Sequence, residues 1–125
     1  MDKILTTTEV SWIDENEIMI HKSLHNAVHR IQEARENIAA ATQLLKGRCL
    51  PTLKDLNRCK KVSSEARQLY ASEINTRNLR ILAVVAGNPV ARVVGTFFTR
   101  LDSAPYKVRL FVKHEEAYQW LLENR

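Results

Sequence analysis

The residues with the most obvious chemical capacity are His25 and His29, four apart, followed by Glu33 and Glu36. On a helix, two imidazoles at this spacing project to one side and could hold zinc. A catalytic zinc motif of the His-Glu-x-x-His kind also needs an acid between the histidines. Here Asn26, Ala27 and Val28 stand there, so the pair reads as a solvated helix flank and no metal is expected. A second group is Gly87-Asn88-Pro89 with Arg92 one turn further on. Asn88 suits a helix N-cap and Pro89 the first helical position, where free amides can hold an anion; Asn88 and Arg92 are the candidate anion site. The lysine and glycines of a phosphate-binding loop are missing. Ser63 and Ser64 lack the context of a nucleophile elbow and read as helix caps. Cys49 and Cys59 lack metal-ligand spacing and any cue to activation. They read as reduced thiols in a cytoplasmic protein. Neither Asp55 nor Asp102 has a partner carboxylate suited to acid–base work. The expectation is a protein that is not an enzyme and uses no cofactor.

The bulk properties fit that reading. A chain of 125 residues is about one domain long and can bury a core without disulfide or metal. Its net charge of +5 is unevenly placed. Residues 58–113 hold eleven Lys/Arg against three Asp/Glu, whereas the segments on either side are slightly acidic. These positive charges are spread along the segment, which favours a solvated basic surface over a nucleic-acid footprint. Nucleic-acid binding also wants exposed aromatics among the basic residues, and only Tyr106 and Trp120 are candidates, so no nucleic-acid partner is expected. Met1-Asp2-Lys3 leads into threonines, which predicts no secretory leader. No apolar run reaches the ~20 residues of a membrane span, so no stable membrane insertion is expected.

The elements that must position these residues centre on residues 79–101, LRILAVVAGNPVARVVGTFFTRL. Leu79 and residues 81–86 form a short apolar run rich in β-branched residues, as in a strand buried on both faces. It hands over at Asn88-Pro89 to a predicted helix, Val90 to Leu101, whose stripe is Val90, Val93, Val94, Phe97, Phe98 and Leu101. Gly95 within it costs about 1 kcal/mol relative to Ala, which a close approach to a sheet or a second helix would explain. Upstream, residues 6–20 predict a β-hairpin with Asp14–Glu17 as its loop. Ser23 is placed as N-cap of a helix from Leu24 to Leu45, closed by Gly47. A strand is expected over Cys49–Leu56, a basic loop over Asn57–Val62, and a helix capped by Ser63 or Ser64 through Ile74, with a turn over Asn75–Asn78. Asp102–Pro105 reads as a loop, Tyr106–Val112 as a strand at the sheet margin, and Glu115–Leu122 as the last helix. A hairpin followed by alternating helices and strands predicts one α/β layered domain over residues 1–125, with a mostly parallel central sheet.

Short pieces along the chain carry a resemblance. They are Trp12-Ile13-Asp14 with Glu17-Ile18, Pro51 to Leu56, Ser63 to Arg67, Gly87 to Val90, Gly95 to Phe98, and Arg109-Leu110-Phe111. In this order they resemble small uncharacterised bacterial proteins of the STAS-like, or SpoIIAA-like, fold, that of anti-anti-sigma factors, also described as STAS/SEC14-like. The resemblance implies a regulatory protein-interaction module with an unidentified protein partner. In anti-anti-sigma factors a strand ends in Asp-Leu, and a serine opening the next helix is phosphorylated. Asp55-Leu56 fits the strand end and Ser64 falls at the phosphorylatable position, with Ser63 in place of the usual aspartate. A phosphate there would meet a helix N-terminus, with Lys60, Lys61 and Arg67 near in sequence. The binding surface so implied comprises Asp55, Asn57, Lys60, Lys61, Ser63, Ser64 and Arg67. The alternative, also implied by the likeness, is a small-molecule or lipid binder whose pocket is walled by the apolar helix from Val90. The same residues, Val90, Val94, Gly95, Phe97 and Phe98, would serve equally as a homodimer face.

Overall fold

The computed structural model describes residues 2–76, 79–89, 92, 93, 96 and 106–125. Its elements are β1 (Lys3–Leu5), β2 (Glu9–Ile13), β3 (Met19–Ser23), β4 (Ala27–His29), α1 (Ile31–Leu45), β5 (Thr52–Asp55), β6 (Cys59–Val62), α2 (Ser64–Thr76), β7 (Ile81–Val85), β8 (Lys107–Phe111) and α3 (His114–Asn124). Six strands form one sheet in the order β1-β2-β3-β5-β7-β8. The first three pair antiparallel, and β3, β5, β7 and β8 run parallel. This is the mixed α/β layered architecture, with a mostly parallel sheet, that the element order predicted.

All five residues of β7 are buried, because helices cover both sides of the sheet. Ile81, Ala83 and Val85 point to one face, where Ala117 and Leu121 of α3 pack on them with Ile20 and Leu53. Leu82 and Val84 point to the other, beneath Ala34 of α1 and Ala66, Tyr70 and Ala71 of α2. A strand covered on both sides has no polar position to spare, which is why its sequence runs apolar rather than alternating. The margin strand β8 keeps Lys107 and Arg109 exposed, as expected of an edge.

The acidic loop closes the β2–β3 hairpin as expected. Asp14 Oδ1 accepts the amides of Asn16 (2.9 Å) and Ile18 (3.0 Å), while Oδ2 accepts the hydroxyl of Tyr118 from α3. Arg92 N–H donates to Asn88 O at 2.9 Å, so a helical turn does begin at Asn88-Pro89. Val93, expected on the inward stripe, is 63% exposed. Val90, Val94, Gly95, Phe97, Phe98, Leu101 and the loop Asp102–Pro105 lie outside the described residues, as do Arg77 and Asn78 of the expected turn.

Several expectations are corrected. Ser23 is the last residue of β3, not an N-cap, and Leu24–His29 is a turn plus β4 rather than helix. The cause is local: Asn26 takes a left-handed conformation (φ 59°) and donates its amide to Arg58 O, which no continuous helix allows. Helix α1 starts at Ile31, and the Glu33 carboxylate accepts the Arg30 amide at 2.9 Å in its first turn. His25 and His29 therefore share no helical face: His25 is exposed in the turn and His29 is buried on β4. The expected basic loop Asn57–Val62 contains β6, which pairs in parallel with β4 as a separate two-stranded sheet. Tyr106, expected exposed, is buried. β1 was not anticipated, and the strand expected over Cys49–Leu56 is confined to β5.

Candidate functional site

Two polar constellations stand out among the described residues, one at the carboxyl ends of the parallel strands and one inside the molecule. At the strand ends, Asp55 closes β5 and is almost fully buried. Its Oδ1 accepts the Asn57 amide at 3.0 Å, folding the chain sharply back. Its Oδ2 meets His114 Nδ1 at 2.8 Å, at the first residue of α3. Burial pushes the Asp55 carboxyl up, but the His114 and Asn57 hydrogen bonds outweigh it and hold the group below its ordinary value. Asn57 then reaches across to β7: its Oδ1 accepts the Gly87 amide at 2.5 Å and its backbone oxygen accepts the Asn88 side-chain amide at 2.5 Å. A Cβ at Gly87 would lie 3.0 Å from Asn57 Oδ1 and 3.2 Å from Val112 O, so glycine is required here by close approach. This corner ties the ends of β5, β7 and β8 to the start of α3.

From the corner the chain passes through β6 into α2. Lys60 and Lys61 are exposed on β6, with Cys59 and Val62 turned inward. Ser63 fixes the start of α2: its amide donates to His29 O (2.9 Å), its hydroxyl accepts the Ala66 amide (3.1 Å), and its carbonyl accepts the Arg67 amide (2.9 Å). Ser64, next to this cap, is exposed in the first turn. Arg67 Nη1 donates to Val62 O at 2.8 Å. A surface cleft of about 290 Å³ lies between the first turns of α1 and α2, with Arg30, Ile31, Lys61, Ser63 and Glu65 along it.

The interior constellation lies between the sheet and helices α1 and α2. Strand register places Ser11, His21 and Lys54 in one row, since Ser11 pairs with His21 and His21 with Lys54. Glu9, on the same face of β2, is 1% exposed. Its Oε2 accepts Ser11 Oγ–H at 3.2 Å and lies 3.0 Å from His21 Nδ1. Burial would raise the Glu9 carboxyl, but the charges of Lys54 and His21 and the His21 hydrogen bond bring it down to about 2. Beside it runs a chain of neutral hydrogen bonds. Asn37 of α1 accepts the Thr6 hydroxyl and donates to Thr8 Oγ1 and Tyr70 Oη, both at 2.9 Å. Because Tyr70 Oη already accepts from Asn37, its proton goes to His29 Nδ1 at 2.8 Å. His29 is thus the neutral tautomer with its proton on Nε2, which faces Ser23 Oγ at 3.3 Å. Burial first, then the positive charge of Lys54, lowers the His29 pKa to about 4. A cavity of about 60 Å³ adjoins Glu9, His21, Lys54 and Tyr70.

A family model described as Domain of unknown function (DUF7793) matches residues 11–125. The chain belongs to the DUF7793 family. No curated protein matches it. Among solved structures, it is similar to an anti-sigma factor antagonist from Mycobacterium paratuberculosis, with a TM-score of 0.68 at 17% identity over 92% of this chain and 93% of that one. It is also similar to an uncharacterised DUF3478-family protein with a SpoIIAA-like fold from Shewanella loihica PV-4, with a TM-score of 0.66 at 12% identity over 97% and 98% of the two chains. At these identities the likeness is one of fold, and that fold is SpoIIAA-like, of the STAS type.

In this DUF7793 domain the residues singled out from sequence divide into two groups. Asp55, Asn57 and Asn88 come together in the corner, and Ser63 is the α2 cap; their polar atoms are engaged in holding the chain. Lys60, Lys61 and Ser64 are exposed on the segment that corner supports. Asn88 spends its amide on Asn57 O instead of standing open to an anion, while Arg92 is exposed. His114, Glu9, His21, Lys54, His29 and Asn37 carry the remaining polar structure and were not singled out for it. Among the described residues no cluster of three or more His, Cys, Asp or Glu could hold a metal ion, and no helix is long and apolar enough to cross a membrane.

Proposed function

We propose that this domain is a non-enzymatic, cytoplasmic regulatory module that offers Asn57–Arg67 to a protein partner. The observation that carries the reading is the contrast along that segment. It is fixed by the Asp55–Asn57–Gly87 hydrogen bonds and by the Ser63 cap, while Lys60, Lys61, Ser64 and Glu65 along it are exposed, Lys61 and Glu65 lining the α1–α2 cleft. A surface held in place before binding loses little conformational freedom on docking. The likeness in fold to an anti-sigma factor antagonist supports the same use. Ser64 is the modification site in this reading. A phosphoryl group there adds about −1.5 to −2 charges at the α2 N-terminus, where free amides favour it, and roughly cancels the positive charge that Lys60 and Lys61 present.

The small-molecule or lipid alternative would place its pocket against the helix from Val90, most of which lies outside the described residues. Exposed Val93 is compatible with a homodimer through the face that begins at Pro89, which sedimentation at micromolar concentration tests. The interaction reading is tested by affinity capture from native lysate with wild type, Lys60→Glu/Lys61→Glu, Ser64→Glu, and Arg35→Glu on the exposed side of α1. A stoichiometric partner lost with the two β6–α2 variants and kept with Arg35→Glu supports it. A partner retained by all four proteins, or no stoichiometric partner at all, overturns it.

A further inference from the structure

The geometry points to a binding site for a small neutral hydroxyl-bearing molecule in the cavity under α1, anchored between Glu9 Oε1 and Lys54 Nζ. Glu9 uses only one of its carboxylate oxygens: Oε2 is engaged by Ser11 and His21, whereas Oε1 is buried and accepts no hydrogen bond. Lys54 Nζ stands 3.8 Å from Oε1, too far for a hydrogen bond, and 3.9 Å from the centroid of the Tyr70 ring. Among the described residues it makes no hydrogen bond. A buried acceptor and a largely buried ammonium thus stand 3.8 Å apart with no hydrogen bond between them.

The charges at the site decide what can enter. Glu9 and Lys54 carry opposite charges 3.8 Å apart, so a charged group placed between them gains at one what it loses at the other. A hydroxyl donates to Oε1 and accepts from Nζ at once, which neither a carboxylate nor an ammonium group can do. Met19, Ala41 and Leu45 give the cavity an apolar side that suits a short aliphatic stem, beside the polar His21, Asn37, Thr52 and Glu73. The volume of about 60 Å³ limits that stem to less than benzene, which needs a cavity of about 150 Å³. The cavity reaches the surface at Arg48 and Cys49, both exposed, which gives a path of entry at the carboxyl end of α1. This site is separate from the β6–α2 surface, so its fate and that of the interaction reading are independent.

The test is a titration of methyl-labelled protein with 1-propanol, read by NMR at Met19, Ala41 and Leu45, beside propionate and propylammonium of the same length. Saturable shifts are expected with the alcohol, with Kd in the millimolar range, and none with the two charged analogues. Ala41→Leu, which fills the cavity from α1, should keep the helical circular dichroism and abolish saturation. The neutral pair Glu9→Gln, Lys54→Met should weaken binding by about tenfold or more, since both anchoring hydrogen bonds involve charged groups. Shifts that drift linearly without saturating, equal responses to all three probes, or unchanged binding in folded Ala41→Leu would overturn the assignment. So would a bound water that the alcohol does not displace.

Discussion

Lowering the pH should destabilise this protein before its carboxylates titrate, and His29 is the cause. Its ring is fully buried, and its Nδ1 accepts a proton from Tyr70 Oη with the Asn37 amide donor also at hand. A second ring proton on Nδ1 would point at donors, with the Lys54 charge adding to the penalty. In the unfolded chain the imidazole takes its proton near 6.5; in the folded protein burial and Lys54 hold it off until about 4. The unfolded state therefore binds more protons throughout this window. Stability is complete above pH 6.5 and falls as pH drops towards 4. The full gap is worth roughly 3 kcal/mol, and most of it should be lost by about pH 4.5. Against a typical 5–15 kcal/mol total, that is a large share. The assay is urea unfolding followed by fluorescence of Trp12 and Trp120, at neutral pH and at mildly acid pH, for wild type and His29→Gln. Glutamine can accept from Tyr70 and donate to Ser23 without titrating, and the other groups are common to both proteins. The difference between the two stabilities should shrink as pH falls. A difference that stays flat across the window would refute the reasoning.

A second loss belongs to Glu9, whose carboxyl is held at about 2 in the folded protein; wild type should lose stability as pH falls from about 4.5 towards 2, and Glu9→Gln should show a shallower acid limb in the same urea series. Gly87→Ala should destabilise by about 1–3 kcal/mol, because the new methyl meets Asn57 Oδ1 and Val112 O and forces the corner open; a denaturation midpoint equal to wild type would contradict this. Leu121→Ala removes a fully buried side chain from the α3 layer and should cost about 2–5 kcal/mol in the same assay. Lys60→Glu/Lys61→Glu, confined to exposed positions, should stay within about 0.5 kcal/mol of wild type, so any loss of partner binding cannot be ascribed to unfolding.

What could be read in advance follows from which signals are local. The residues of β7 declare their place because both neighbouring layers are apolar, and the run Ile81–Val85 admits no other packing. The margin position of β8 shows in the alternation of Lys107 and Arg109 with Val108 and Leu110. Both are properties of consecutive residues. β4 and β6 are three and four residues long, and each is a strand only because the other, some thirty positions away, supplies its hydrogen bonds. Helical spacing from Val28 through Ile31 therefore outweighed a pairing that no short window contains. The start of α1 was misplaced for a related reason: Ser23 has the chemistry of a cap, but the residue at the cap position is Arg30, supported by Glu33.

The interior polar row was illegible for a different reason. Glu9, His21 and Lys54 are residue types that normally mark a solvent face, and β2 alternates Glu9 and Ser11 with Val10 and Trp12 as a half-exposed strand would. Alternation fixes which side chains share a face but not whether that face is covered. Here it is, by α1 and α2, so the polar face becomes a buried one and its charges must compensate one another. The cross-strand register that sets His21 between Ser11 and Lys54 is what makes this affordable. The neutral chain through Asn37, Tyr70 and His29 then locks both covering helices to the strands beneath. The same arrangement leaves one carboxylate oxygen of Glu9 and the Lys54 ammonium without hydrogen-bond partners among the described residues. The strongest chemical potential in this domain therefore lies under a layer that composition and spacing alone would have left open to water.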